Sequence, residues 1–218
     1  MTDTAHHYWN EAWSTATADS KWALPEEEVL AHAAGLSPGA RVLDLGAGIG
    51  RHALAFARLG LRVAALDAAP QSVAAIGAAA AAEGLAIDVR EGRMTDLPFD
   101  DGSFEHVLSW NVIYHGDEEI VARTFAEVRR VLVPGGSFMA TMLSARRVPV
   151  ELAKAPGREI SRNTWVFDGP GDKIHPHHFC TAADLVALLR GFELRTLADR
   201  EHDSAGSWHW HFLAERLA

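Results

Sequence analysis

The chain has 218 residues, which fits one α/β domain with a sizeable core, and a single cysteine, Cys180, which excludes an intramolecular disulfide. Twenty basic against 29 acidic side chains leave a net charge of −9, and with no run of Lys or Arg a nucleic-acid partner is disfavoured. The N-terminus has neither the basic nor the apolar region of a signal peptide and no apolar run spans a bilayer, so a cytoplasmic protein without a membrane partner is expected.

In chain order, the segment 1–40 carries Tyr8, Trp9, Trp13 and Trp22 ahead of any strand. These aromatics form either a lid whose rings meet a cationic ligand or, as the simpler expectation, a helix staple packed on the domain's flank. Pro25-Glu26-Glu27-Glu28 has the proline and acids of a helix start, and Gly35 is its stop. Strands are expected at Arg41–Leu45, Arg62–Asp67, Ala86–Glu91, Phe104–Trp110 and Ser137–Leu143. Helices fall between them at Arg51–Leu59, Pro70–Glu83 and Asp117–Leu132. Such alternation builds a parallel sheet with helices on both faces. Residues 145–180 hold Pro149, Pro156, Pro170 and Pro176 and read mostly as loop, a connection long enough to cover a substrate. Thr181-Ala182-Ala183-Asp184 opens a helix to Arg190, Phe192–Leu197 makes a sixth strand and Ser207–Leu213 a seventh. The short turn Asp203–Gly206 makes that last pair antiparallel. The fold class is therefore a doubly wound α/β domain over 1–218: a core at 41–144, an insertion at 145–180, and a helix with a hairpin at 181–218.

The chemistry concentrates in Arg41-Val42-Leu43-Asp44-Leu45-Gly46-Ala47-Gly48-Ile49-Gly50-Arg51, a strand that runs through a glycine turn into a helix. Glycines allow close backbone approach to a ligand, and the helix start offers unpaired N–H groups. Asp67 closes the next strand, where a carboxylate accepts from two ribose hydroxyls. The dinucleotide fingerprint is G-x-G-x-x-G, but here the third glycine comes one residue early, and Asp44 stands two residues before the first. A pyrophosphate would be repelled by that charge, whereas a sulfonium with an ammonium group would be attracted.

On these residues the segment resembles motif I of the class I S-adenosylmethionine-dependent methyltransferases, with similarity over 41–144 and, more loosely, the C-terminal hairpin. The resemblance implies a seven-stranded sheet of order 3-2-1-4-5-7-6 and methyl transfer from S-adenosylmethionine to a small-molecule nucleophile. Glu91-Gly92-Arg93-Met94-Thr95-Asp96 resembles the family's adenine-contacting turn, whose residue after the glycine is Asp. Here that residue is Arg93, which cannot accept, so Met94 is left to serve by backbone and packing, with Asp96 as a substitute acceptor. Val131-Leu132-Val133-Pro134-Gly135-Gly136 resembles the family's helix-to-strand turn; 111–117 and 207–211 look like small-molecule enzymes near the tellurite-resistance type. By the same resemblance Gly46, Ala47 and Gly48 approach the methionine end of the cofactor, with Asp44 nearby. Asp67 and Ala68 hold the ribose, while Ser109 and Trp110 flank the methionine. Arg51 either meets the methionine carboxylate or is a solvated first-turn arginine.

Twelve histidines remain. Parallel sheets bind ligands outside their C-terminal strand ends, where the topology gathers His115, His175, His177, His178, His202 and His209. They are read as pocket-rim residues, with His115 or His178 as the residue that takes a proton from the acceptor or positions it. His-x-His-His and His-x-His spacings are compatible with a metal, or a metalloid with Cys180, but are less specific than paired C-x-x-C, and no metal ligand is assigned. Two other readings stay open: a catalytically silent S-adenosylmethionine-binding module, and a nicotinamide-dependent oxidoreductase, which the glycine spacing and Asp44 disfavour. The oligomeric state leaves no trace in the sequence.

Overall fold

The computed structural model describes residues 3–15, 21–202 and 204–218, with Lys21 by its backbone alone. Arg41–Leu45 (β1) is buried from Val42 onward, as a central parallel strand covered on both faces must be. It pairs in parallel with Arg62–Asp67 (β2) on one side and Phe104–Ser109 (β4) on the other. Ile87–Glu91 (β3) continues the sheet beyond β2 with no buried residue. On the far side Leu132–Ser144 (β5) pairs in parallel with β4. Trp208–Arg216 (β10) runs antiparallel to β5, and Phe192–Glu201 (β9) antiparallel to β10, so that β9 is parallel to β5. The order β3-β2-β1-β4-β5-β10-β9 is the one the resemblance implied.

The segment 145–180 departs from the expected loop. It contains a short helix, Val148–Leu152, and three strands, Gly157–Ser161 (β6), Thr164–Phe167 (β7) and His177–Cys180 (β8). Pro149 sits in the first turn of the helix, and Pro156, Pro170 and Pro176 lie between the strands without entering them, which is where a residue lacking an N–H is tolerated. Asn163, at φ 59°, turns β6 back on β7. β8 then pairs in parallel with Leu143 and Ser144 of β5, on the edge that β4 leaves at Ala140. Among the described residues the sheet thereby reaches ten strands, and the insertion is fastened to the C-terminal strand ends.

Helices cover both faces. Glu27–Ala33 (α2), Arg51–Arg58 (α3) and Pro70–Glu83 (α4) pack one side around Phe56, Ile76 and Leu108. On the other, Glu118–Val131 (α5) seats Phe125 against Phe138 and Phe212, ring centroids 5.6 and 6.1 Å away. Each such buried ring contributes about 2–3 kcal/mol of apolar transfer. Asp117 caps α5 by accepting from Ile120 N, and Thr181 with Asp184 forms a reciprocal capping box on Ala182–Leu188 (α6). Among the described residues no helix is long and apolar enough to cross a membrane. The N-terminal helix Ala5–Ser14 (α1) leaves the helical layers and crosses the C-terminal strand ends.

Candidate active site

The glycine turn after β1, the ends of β2 and β4, the insertion and α1 enclose a cavity of about 650 Å³. Gly46 and Gly48 hold left-handed backbone, φ 73° and 57°. A side chain on Gly46 would overlap Val112, and one on Gly48 would come 3.1 Å from Trp13. Asp67 faces this turn: its Oδ2 accepts from Gly48 N (2.8 Å) and its Oδ1 from Ala69 N (2.9 Å). Burial pushes the Asp67 carboxyl up, and those two N–H groups oppose the rise. The Ser72 side chain opposes it too, and the carboxylate still has accepting capacity left for a ligand hydroxyl.

Of the residues expected from the sequence, Gly46, Ala47, Gly48, Arg51, Asp67, Ala68, Arg93, Met94, Trp110 and His115 line the cavity. Asp44, Ser109 and His178 do not. Asp44 is 2% exposed behind the glycine turn and accepts from Ala53 N (2.9 Å) at the start of α3. Burial pushes its carboxyl up to about 7, against the pull of that N–H and of Arg51. Ser109 Oγ donates to Leu45 O (3.1 Å), tying β4 to β1. His178, expected as a catalytic candidate, lies off the cavity wall: strand alternation turns it away from His177, and it is buried against Thr164 Oγ1 at 3.1 Å. Cys180 is also buried, its thiol pushed up to about 12 by desolvation. Asp96, the expected substitute acceptor, is exposed and off the cavity wall.

The N-terminal aromatics are not on the domain's flank. Tyr8, Trp9, Trp13 and Trp22 all line the cavity, with Trp9 stacked on Trp13 at 4.9 Å. Polar ties fix the segment across the mouth: Asp3 to Arg93 (2.6 Å), Asn10 Oδ1 accepting from Gln71 N (3.1 Å), and Thr4 Oγ1 to His175 Nδ1 (2.9 Å). Arg93 thus replaces the acid usual in the family and brings an acid, Asp3, to the same wall. Arg51 is not solvated: it donates to Leu24 O (3.0 Å), pairs with Glu26 (3.1 Å) and lies over the Trp22 ring. Trp9 Nε1 and Trp110 Nε1 are buried donors with no hydrogen-bond partner among the described residues. Both indoles face the cavity, so a ligand rich in acceptors suits them.

The histidines separate by partner. His209 Nδ1 donates to Ser207 O (2.7 Å) and its Nε2 accepts from Arg147 (3.2 Å); burial and that guanidinium pull its pKa down to about 2. It is a fixed neutral wall residue. His211 pairs with Glu28 at 2.6 Å and passes the chain to His202 at 3.2 Å. His115 and His177 converge on Asp172, with Nε2 to Oδ2 distances of 3.4 and 3.3 Å. Asp172, like Asp3, carried no signal in the sequence, because an acid among glycines reads as a turn and one of its two partners, His115, lies 57 residues away.

Residues 42–136 match the family model described as a methyltransferase domain. An uncharacterized protein of Mycobacterium tuberculosis is 36% identical over 135 residues, 56% of this chain and 48% of that protein. A ubiquinone biosynthesis O-methyltransferase of Xanthomonas campestris pv. campestris is 31% identical over 160 residues, 72% of this chain and 64% of that enzyme. The chain thus spans about half the length of the first of these relatives. The 1,6-didemethyltoxoflavin-N1-methyltransferase of Burkholderia thailandensis, solved with 1,6-didemethyltoxoflavin and S-adenosylhomocysteine bound, has the same fold. Its TM-score is 0.70 at 20% identity, covering 98% of this chain and 84% of that one. With the glycine turn, the acid closing β2 and the 3-2-1-4-5-7-6 sheet, the chain has the fold of the class I S-adenosylmethionine-dependent methyltransferases, and its residues 42–136 match a methyltransferase domain.

Proposed function

We propose that this chain transfers the methyl group of S-adenosylmethionine to a small-molecule nucleophile. The observation that carries the reading is one shared cavity: Asp67 and the glycine turn form one side, His115 and Asp172 another, within about 650 Å³. That volume lies in the range of small-ligand sites and has room for a nucleoside ligand beside a small acceptor. The relatives' names, a ubiquinone biosynthesis O-methyltransferase and an N1-methyltransferase holding 1,6-didemethyltoxoflavin, support a small acceptor.

When bound, S-adenosylmethionine supplies an electrophilic methyl on a positive sulfur, and its neutral thioether leaving group needs no proton. The chain's part is then to hold, align and dry the reactants. Asp67 would grip the ribose and the glycine turn would admit the methionine end. The free Trp110 N–H would donate to an acceptor atom of the ligand. The rings of Trp9 and Trp13 exclude water and attract a sulfonium through their faces, which makes α1 a lid. His115, the one of the two expected catalytic histidines that faces the cavity, is assigned to the acceptor.

A melting experiment with S-adenosylhomocysteine and NADH tests the cofactor: the first should raise the melting temperature and the second should not. Labelled methyl should then appear on at least one member of a panel of thiols, phenols, amines and carboxylates. Binding with no transfer to any of them would favour a silent binding module.

A further inference from the structure

We propose that His115 Nε2, Asp172 Oδ2 and His177 Nε2 form a binding site for a divalent cation of the zinc type, open on its fourth side to the acceptor end of the cavity. The inference deepens the methyltransferase reading and rests on it for the cation's role. The three ligand atoms lie within 4.8 Å of one another. They come from separate segments: the loop after β4, the single turn Asp172–Ile174, and the first residue of β8.

Backbone pairing fixes the two imidazoles. His115 and His177 form an antiparallel bridge, flanked by Gly116 N donating to Pro176 O (2.9 Å) and His178 N donating to Tyr114 O (2.8 Å). The spacing of the histidines is therefore set before any ligand arrives, as a metal site requires.

The tautomer carries the argument further. His177 Nδ1 lies 2.8 Å from His175 O, and a carbonyl only accepts, so Nδ1 bears the proton. In the neutral ring Nε2 is then a lone pair, yet it points at the Asp172 carboxylate 3.3 Å away. Two acceptors face each other, and His177 is fully buried, so a cation between them resolves the contact. A proton would serve as well, but a charge-assisted N–H···O closes to about 2.7–2.9 Å. Separations of 3.3 and 3.4 Å correspond instead to the edge of a tetrahedron of roughly 2.0–2.1 Å radius, the zinc–ligand distance. Lys173 takes the other carboxylate oxygen, Oδ1, at 3.7 Å and leaves Oδ2 free.

Three protein ligands with an exposed fourth position describe a catalytic rather than a structural zinc site. His115 and Asp172 line the cavity, so that position faces the acceptor. An acceptor bearing O–H or S–H would coordinate there and become more acidic. Its proton passes to water and its lone pair forms the bond to the methyl carbon. The electrons of the broken sulfur–methyl bond stay on sulfur, giving S-adenosylhomocysteine and the methylated acceptor.

The test uses the full chain without an affinity histidine tag, stripped by chelator. Co²⁺ is titrated as a visible probe, Zn²⁺ by calorimetry, and S-adenosylhomocysteine binding is measured on the same sample. One equivalent of Co²⁺ with the intense spectrum of four-coordinate cobalt, displaced by Zn²⁺, is expected. His177→Ala and Asp172→Asn should each weaken Zn²⁺ by about tenfold or more, since partners one bond further from a metal already matter that much. His115→Gln is the milder variant if either fails to fold, and His178→Gln should keep the wild-type affinity. A sample that binds S-adenosylhomocysteine but takes up no stoichiometric cation overturns the site and leaves the methyltransferase reading standing. Cation uptake that depends on the three ligands, without S-adenosylhomocysteine binding, upholds the site and overturns that reading.

Discussion

Asp67 is where the sequence and the cavity meet most directly: its place at the end of β2 was legible because strand, turn and acid follow one another without a gap. Its carboxylate already organises Gly48 and Ala69, so Asp67→Ala removes both the ribose acceptor and the brace of the turn. Hydrogen bonds to charged groups contribute about 1.5–3 kcal/mol, so calorimetry should show S-adenosylhomocysteine weakened by roughly a hundredfold. Unchanged affinity would remove Asp67 from the site. Asp44 was equally legible as a residue, but its burial was not, because an acid inside a strand gives no sign of which side it faces. Its folded pKa of about 7 lies above the ordinary 3.8, so the folded chain holds that proton more tightly than the unfolded one. This contribution to stability is fully present below about pH 4 and is lost as pH rises towards 7. Asp44→Asn should therefore gain on the wild type across that interval, by up to about 4 kcal/mol for a shift of three pK units. Denaturant unfolding at a series of pH values checks it, and a constant difference between the two proteins would refute it.

Among the elements, the sheet from β1 to β4 could be read almost residue by residue, since apolar runs alternating with helices leave few topologies open, whereas β5 begins at Leu132, five residues before the expected Ser137. The insertion could not, because its strands are only four or five residues long and bracketed by prolines, and β8 gains strand character by pairing with β5. The N-terminal segment was ambiguous for a related reason: its aromatics announce burial without saying against what. The ties that settle it, such as Asp3 to Arg93, join residues 90 positions apart. Two variants probe these elements. Gly46→Ala must adopt a left-handed φ and displace Val112, a strain of about 1–3 kcal/mol. It should lower the melting temperature and abolish S-adenosylhomocysteine binding, and adding Val112→Ala should recover only the steric part of the stability. Arg93→Ala frees Asp3 and should loosen α1, seen as faster proteolysis near the N-terminus in the free chain and suppressed by S-adenosylhomocysteine. Equal cleavage with and without ligand would show that α1 does not close on it.

At the scale of the whole molecule, the buried histidines set the response to acid. His52 and His106 are held neutral by burial, each with its pKa down at about 3, and His209 joins them at about 2. A histidine whose folded pKa is depressed contributes stability that is present above its ordinary 6.5 and lost as pH falls below it. Near pH 5 the unfolded chain binds about three protons on these residues that the folded chain refuses, while Asp44 binds one in the folded state only. Over these four groups the balance is about two protons, a slope near 3 kcal/mol per pH unit, steep enough to exhaust an ordinary stability of 5–15 kcal/mol within a few units. The unliganded chain should thus unfold cooperatively in mild acid despite an excess of carboxylates that would repel one another less there. His106 isolates one proton of that balance. It lies deep between β1 and β5, with Nδ1 at 2.8 Å from Ser137 Oγ and an Nε2 that has no partner among the described residues. His106→Gln cannot take up a proton in either state, so the pH 5–6 slope should fall by about 1.4 kcal/mol per unit. A variant with the wild-type slope would mean that His106 is charged in the folded chain, and that burial does not hold it neutral.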